Sequence, residues 1–130
     1  MSDPREKLQR EGIAAYNRGD TEAVLAALDP DIEVFTPPEL GNAGTFHGHE
    51  GYRAWVEAWL EAWEDFRIEP VEIEQFEDEF LILMDAGGRG KGSGAEVSLR
   101  FWWVYTVPAD RATRLRLFPT REAALAALRA

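Results

Sequence analysis

Apolar residues recur along the chain first with a helical period and then with a strand period, and the change marks the elements. Leu8, Gly12, Ile13 and Tyr16 share one helical face and predict a first helix that starts at Asp3. Asp3 can cap it, Pro4 suits the first helical position, and Glu6 completes a capping-box pattern. Asn17-Arg18-Gly19 ends it, with Gly19 as the left-handed cap. Asp20 caps a short helix over residues 21–28, which Pro30 stops. Residues 32–36 then read as a strand. Pro37-Pro38 and Gly41-Asn42-Ala43-Gly44 read as a turn, and residues 45–47 as a short return strand. Tyr52, Trp55, Val56, Trp59, Leu60 and Trp63 form a stripe at three-and-four spacing and predict a long helix over about residues 50–64. The remainder is mostly strand. Residues 66–76 alternate apolar with charged, 80–86 are nearly all apolar, 96–107 are rich in β-branched and aromatic residues, and 114–118 alternate Arg with Leu. Pro119-Thr120 opens a last helix through residue 128, with Glu122 placed well for the helix dipole. The order ααββαββββα lacks strand–helix alternation, so it predicts a single α+β domain over residues 1–130 with a mostly antiparallel sheet.

Composition narrows the partners. A chain of 130 residues buries about two thirds of its unfolded surface and needs no staples. It has no cysteine, which excludes disulfides and thiolate metal sites. Met1 to Lys7 carries mixed charge and does not read as a secretory signal. The apolar runs 80–84 and 101–104 are too short to span a bilayer. The expectation is a cytoplasmic protein. The net charge of −10, from 24 acidic and 14 basic residues, opposes nucleic-acid backbones and anionic membranes, so neither is an expected partner. Five Trp, seven Phe and three Tyr exceed what a small core requires and suggest a ring-lined pocket.

Three segments carry a resemblance: Ala15-Tyr16-Asn17-Arg18-Gly19-Asp20, Leu28-Asp29-Pro30-Asp31-Ile32-Glu33, and Phe46-His47-Gly48-His49-Glu50-Gly51. In that order they resemble the nuclear transport factor 2-like superfamily, and within it the SnoaL-like and ketosteroid isomerase-like proteins. Residues 59–66 and 90–96 are similar to uncharacterised bacterial members. The resemblance implies a cone: a bent sheet wraps the long helices and leaves an apolar pocket at its open end, often in a homodimer joined through the outer sheet face. It implies no single function, since the superfamily holds isomerases, dehydratases, cyclases and non-catalytic modules.

The steroid isomerase chemistry pairs an Asp base with a Tyr and a protonated Asp that hold an enolate oxygen. Aligned on Gly19-Asp20 and His47-Gly48, those positions fall on Thr36, Gly12 and Trp103, so that set is not matched. Other groups are candidates. Asp85 ends the run Leu81-Ile82-Leu83-Met84 and is expected to face the pocket with a raised pKa, as a general base. His47 is a candidate for acid–base work, and its place at the strand-to-helix corner also suits a backbone hydrogen bond. Tyr16, on the inner face of the first helix, can donate its hydroxyl. Expected pocket-lining residues are Thr36, Trp55, Trp59, Phe101, Trp103 and Tyr105. If Leu99, Phe101, Trp103 and Tyr105 point inward, Arg100, Trp102 and Val104 point outward. A second copy of the chain is the expected cover for Trp102. His47 and His49 would share a strand face beside Glu50 but lack a third ligand, so no metal is expected. The run from Gly87 to Gly94 has Gly92 after Lys91 and precedes a strand, so it reads as a hairpin rather than a phosphate loop. No cofactor is expected. Two readings follow: a cofactor-free acid–base isomerase, cyclase or lyase on an apolar small molecule, or a non-catalytic ligand-binding or dimerisation module.

Overall fold

The computed structural model describes residues 3–38 and 43–128. Its elements follow the expected order: α1 (Pro4–Asn17), α2 (Thr21–Ala26), β1 (Leu28–Thr36), β2 (Gly44–His47), α3 (Gly48–Ala62), β3 (Trp63–Phe76), β4 (Glu79–Gly90), β5 (Glu96–Thr106), β6 (Ala112–Phe118) and α4 (Arg121–Leu128). Gly41 and Asn42 of the expected turn lie outside the described residues.

Local chemistry explains the helix ends. Asp3 caps α1 by accepting from Arg5 N at 2.8 Å rather than from the Glu6 amide, so the capping box is not closed by side chains. Gly19, at φ +76°, ends α1 in a Schellman pair, with Gly19 N donating to Tyr16 O (3.0 Å) and Asp20 N to Ala15 O (2.9 Å). Asp20 at once caps α2 through Ala23 N at 3.2 Å. Several boundaries differ from the sequence reading, two of them at element junctions. Leu28 is the first residue of β1, paired in parallel with Ala112. Trp63 is extended (φ −129°, ψ 145°) and starts β3, because the chain passes from α3 into the sheet with no loop. Lys91 N donates to Ala62 O at 3.1 Å and satisfies one of the orphan carbonyls at that junction.

The six strands form one sheet in the order β2-β1-β6-β5-β4-β3, with only the β1–β6 pair parallel. β3 gains one residue over β4 between Glu64 and Arg67 and another between Pro70 and Glu72. Such bulges bend and twist a strand, and they help to curl the sheet around α1 and α3. Gly88 makes the first bulge possible: a Cβ there would stand 3.1 Å from both the Glu64 carbonyl oxygen and Phe66 Cα. β3 is also an edge strand, and its Glu, Asp, Arg and Pro residues oppose pairing with another chain.

The inner sheet face carries the main core, with Phe80, Ile82 and Met84 of β4 and Ile32 and Val34 of β1 packed against Ile13, Tyr52 and Trp55 of the helices. The outer face has its own small core, in which Leu81 and Val104 are buried against Ala124 of α4 with Trp102 and Phe118 beside them. α4 of the same chain therefore supplies cover for Trp102, and Arg121 adds a guanidinium 6.0 Å from its ring centroid. At the end of the cone formed by the N-terminus, Arg5 ties α1 to the β3–β4 turn and the end of β5. It donates to Asp78 Oδ1 and to Val107 O, each at 2.8 Å. No helix is long and apolar enough to cross a membrane.

Candidate functional site

α3 lies across the concave sheet face, and Trp55, Val56 and Trp59 come from successive positions of its apolar stripe. Between this stripe and the inner residues of β5 lies a first cavity with about 30 Å³ open to the centres of water molecules. Its walls include Tyr16, Thr36, Phe66, Phe101 and Trp103. A second cavity of about 20 Å³ lies beside it and adds Gln9, Tyr52 and Tyr105. Tyr16, Ile68 and Trp103 line both, so they form the partition between the two. Each void has room for roughly one or two waters, so the walls nearly close on themselves.

Rings dominate these walls. Trp103 is the hub: its centroid stands 5.7 Å from Tyr105, 6.0 Å from Phe101 and 6.4 Å from Trp55, and Trp55 meets Tyr52 at 5.8 Å. A second cluster forms one side of the first cavity, where Phe66 meets Trp59 edge-on at 5.3 Å and Trp63 at 6.1 Å. Such tilted and edge-on pairs stiffen a wall beyond simple burial.

The polar groups in this setting are neutral. Trp55 Nε1 donates to Thr36 Oγ1 at 2.9 Å, with both residues buried. Trp103 is 5% exposed, and its buried Nε1 has no hydrogen-bond partner among the described residues. Burial pushes the Tyr16 phenol up to about 12 and raises those of Tyr52 and Tyr105 as well. For Tyr52 the charges that Tyr105 and Tyr16 would carry add to the shift. All three therefore stay protonated at neutral pH. No Asp, Glu, His, Lys or Arg lines either cavity among the described residues.

The expected pocket residues Thr36, Trp55, Trp59, Phe101 and Trp103 meet at the first cavity, and Tyr105 meets Trp103 at the second. Tyr16 reaches both. Gly12 lines the second. The ionisable candidates lie elsewhere. Asp85 is on the outer sheet face and accepts from Arg100 Nε at 2.6 Å and Nη2 at 3.1 Å. That ion pair lowers its pKa, the reverse of the raised value expected of a pocket base. It stands in a broad solvent-open groove of about 550 Å³ at the β3 edge, beside Arg67 and Glu69. Strand alternation is the cause: Met84 and Ala86 face inward, so Asp85 between them faces out. His47 is exposed at the end of β2. The backbone bond expected of it belongs to His49, whose Nε2 lies 3.1 Å from Leu28 O. His49 sits in the first turn of α3, so the two histidines do not share a strand face. No acidic, His or Cys cluster suited to a metal occurs among the described residues. Sequence reasoning missed Gln9 and Phe66 as lining residues and took Tyr52 as core alone. A signal existed for Gln9: it lies four residues before Ile13 and seven before Tyr16, a polar residue on the apolar face of α1.

No curated protein matches the chain. Solved structures do. A nuclear transport factor 2-like protein of unknown function from Burkholderia pseudomallei has 23% identity and a TM-score of 0.83 over 99% of this chain and 100% of its own. One from Burkholderia thailandensis has 21% identity and a TM-score of 0.80, covering 98% of each chain. TerC, crystallised with polyporic acid, has 21% identity and a TM-score of 0.82 over 98% of this chain and 100% of its own. At such identities the likeness is one of fold: an α+β cone with a bent sheet and N-terminal helices. Residues 10–115 match the model of the SnoaL-like domain, which spans most of the sequence, and the chain belongs to that family.

Proposed function

We propose that the ring-lined cavities receive a small, flat, neutral molecule, and that the protein acts by binding it rather than by acid–base catalysis. One observation carries this reading: hydroxyls, an amide and indoles are the polar groups of both cavities, and no acid, base or cation lines them among the described residues. A proton-transfer mechanism needs a group whose pKa lies near the working pH within reach of the substrate. The tyrosines are raised away from that range. TerC, similar in fold, was crystallised with polyporic acid, which supports a small organic ligand for this cone.

The space is narrow, so a ligand must part the walls. The rings of Trp59, Trp63 and Phe66 are the ones to move, because they are only partly buried while Trp55 and Trp103 are fixed in the core. A three-ring molecule that buries roughly 300 Å² gains about 7 kcal/mol from the hydrophobic effect. Association and wall opening offset part of this, so the expected dissociation constant lies between about 10 μM and 1 mM.

The test is a titration with 9-fluorenone, followed by tryptophan fluorescence and by the indole N–H signals of Trp55, Trp59 and Trp103. Saturable binding is expected in the wild type. Leu99→Trp, which fills the first cavity from its half-buried wall, should abolish binding while a thermal melt shows a folded protein. Equal binding by a folded Leu99→Trp variant would place the ligand elsewhere and end this reading.

A further inference from the structure

A third hollow, of about 180 Å³, lies in the cleft between the α1–α2 corner, at Gly19 and Thr21, and α3. Leu60 of α3 stands on its wall and is 43% exposed, so the hollow meets solvent. Tyr16, Val56 and Phe66 line both this hollow and the first cavity, so they separate the two. Two of the three are anchored. Tyr16 precedes Asn17, whose amide bonds Ile68 N and O at 3.0 and 2.7 Å. Val56 lies within α3 beside the buried Trp55. Phe66 is held differently. It belongs to the first bulge of β3, where Asp65 and Phe66 face Gly88 alone between the pairs Glu64–Arg89 and Arg67–Gly87. A bulged segment drops out of the ladder and is freer to shift. Asp65 has φ +53°, a left-handed conformation that a non-glycine residue keeps only where its surroundings impose it. Gly88 leaves room for the ring, since a Cβ there would stand 3.2 Å from Phe66 Cδ2. Arg89 Nη2 donates to Asp65 Oδ2 at 2.6 Å and ties the bulge down from outside. Backbone strain of this sort is retained at clamps and switches.

We propose that this cleft is the route into the first cavity and that Phe66 is its gate, latched by the Asp65–Arg89 ion pair. The inference rests on the small-molecule reading above and gives the ligand a way in. Phe66 meets Trp59 at 5.3 Å and Trp63 at 6.1 Å, and all three rings are half-buried, so Phe66 can swing without opening the main core. When it does, the hollow and the first cavity become continuous. Trp55, Ile68, Phe101 and Trp103 of the same cavity are buried and give no such path. The latch residues line neither cavity, so they set how often the gate opens and not how well a ligand fits inside.

The test separates rate from affinity. Stopped-flow mixing with 9-fluorenone, read by tryptophan fluorescence, gives both rate constants. Arg89→Gln removes the latch. Association and dissociation should each rise about two- to fivefold, the worth of an exposed ion pair, with the dissociation constant within about twofold of wild type. Leu60→Tyr crowds the hollow without adding an indole and should slow both rates together. Both positions are exposed, so both variants should fold. A second readout needs no ligand: solvent exchange of the Trp55 indole N–H, whose bond to Thr36 Oγ1 joins two residues of the first cavity wall. It should be faster in Arg89→Gln and slower in Leu60→Tyr, while the Val34 amide in β1 exchanges as in the wild type. If either variant leaves both the rates and the Trp55 exchange unchanged, the gate is overturned and the small-molecule reading stands. A change in dissociation alone also overturns it, because the variant would then act on the seat. If 9-fluorenone does not bind, the small-molecule reading falls, and the Trp55 exchange decides the gate by itself.

Discussion

Asn17 offers a sharp test of how the helices hold the cavity. β3 is an edge strand, and Ile68 turns one N–H and one C=O away from β4. The Asn17 amide meets both: Nδ2 donates to Ile68 O at 2.7 Å, and Ile68 N donates to Oδ1 at 3.0 Å. The side chain thus stands in for a neighbouring strand and pins the last turn of α1 to the sheet. It matters to the site because Tyr16, the preceding residue, and Ile68 line both cavities. Asn17→Ala removes two hydrogen bonds, each worth about 0.5–1.5 kcal/mol net, for a loss of about 1–3 kcal/mol. Both bonds are only part-buried, so water can replace some of their worth, and the lower half of that range is expected. Urea unfolding should show the loss as a lower midpoint at an unchanged slope. Asn17→Asp sharpens the argument. Its carboxylate still accepts from Ile68 N but faces Ile68 O with no proton, so its folded pKa is raised. A raised folded pKa adds stability at low pH and loses it as pH rises through the folded value. Asn17→Asp should therefore be no better than Asn17→Ala at pH 7 and gain on it in acid. A change under about 0.3 kcal/mol in Asn17→Ala, with Ile68 amide exchange as slow as in the wild type, would refute the clamp.

Asp85→Asn should leave 9-fluorenone binding within about twofold, because the carboxylate is outside the cavities. NMR should place the Asp85 midpoint below the usual carboxylate value of about 4, since Arg100 hydrogen-bonds its charged form. A depressed folded pKa contributes stability above the unfolded value and loses it as pH falls through the folded one, so Asp85→Asn should flatten the acid limb of stability; a midpoint above 4 would sink this account. The tyrosines act at the other end. Tyr16 titrates at about 12 against about 10 unfolded, and Tyr52 and Tyr105 also shift up, so stability should fall as pH rises through about 10; absorbance at 295 nm should show Tyr16→Phe removing a late-ionising phenol. Gly88→Ala should cost about 1–3 kcal/mol, read by thermal melting, because two of its three close neighbours are backbone atoms of the bulge that cannot rotate away. Leu81→Ala, under α4, should cost about 2–5 kcal/mol yet leave ligand affinity intact; a matching loss of affinity would mean that the outer core and the cavity are coupled.

Much of the fold was legible in the chain itself, because its determinants are local. The α1 stop at Gly19, the Asp20 cap and the order of elements follow from residues within a few positions of one another. Strand alternation set Leu99, Phe101, Trp103 and Tyr105 on one face, and the helical stripe added Trp55, Val56 and Trp59 to the cavity wall. What tertiary structure decided was pairing and facing. Asp85 ends an apolar run, which suggests a pocket, but its face is fixed by the inward packing of Met84 and Ala86, and its partner is chosen by the β4–β5 register that sets Arg100 opposite. α4 could have packed on either sheet face; only the assembled outer face, with Leu81 and Val104 side by side, selects it. The unpartnered Trp103 N–H is visible in no local pattern. A sequence records that an indole is present, and whether it finds an acceptor depends on which side chains from distant strands and helices close around it.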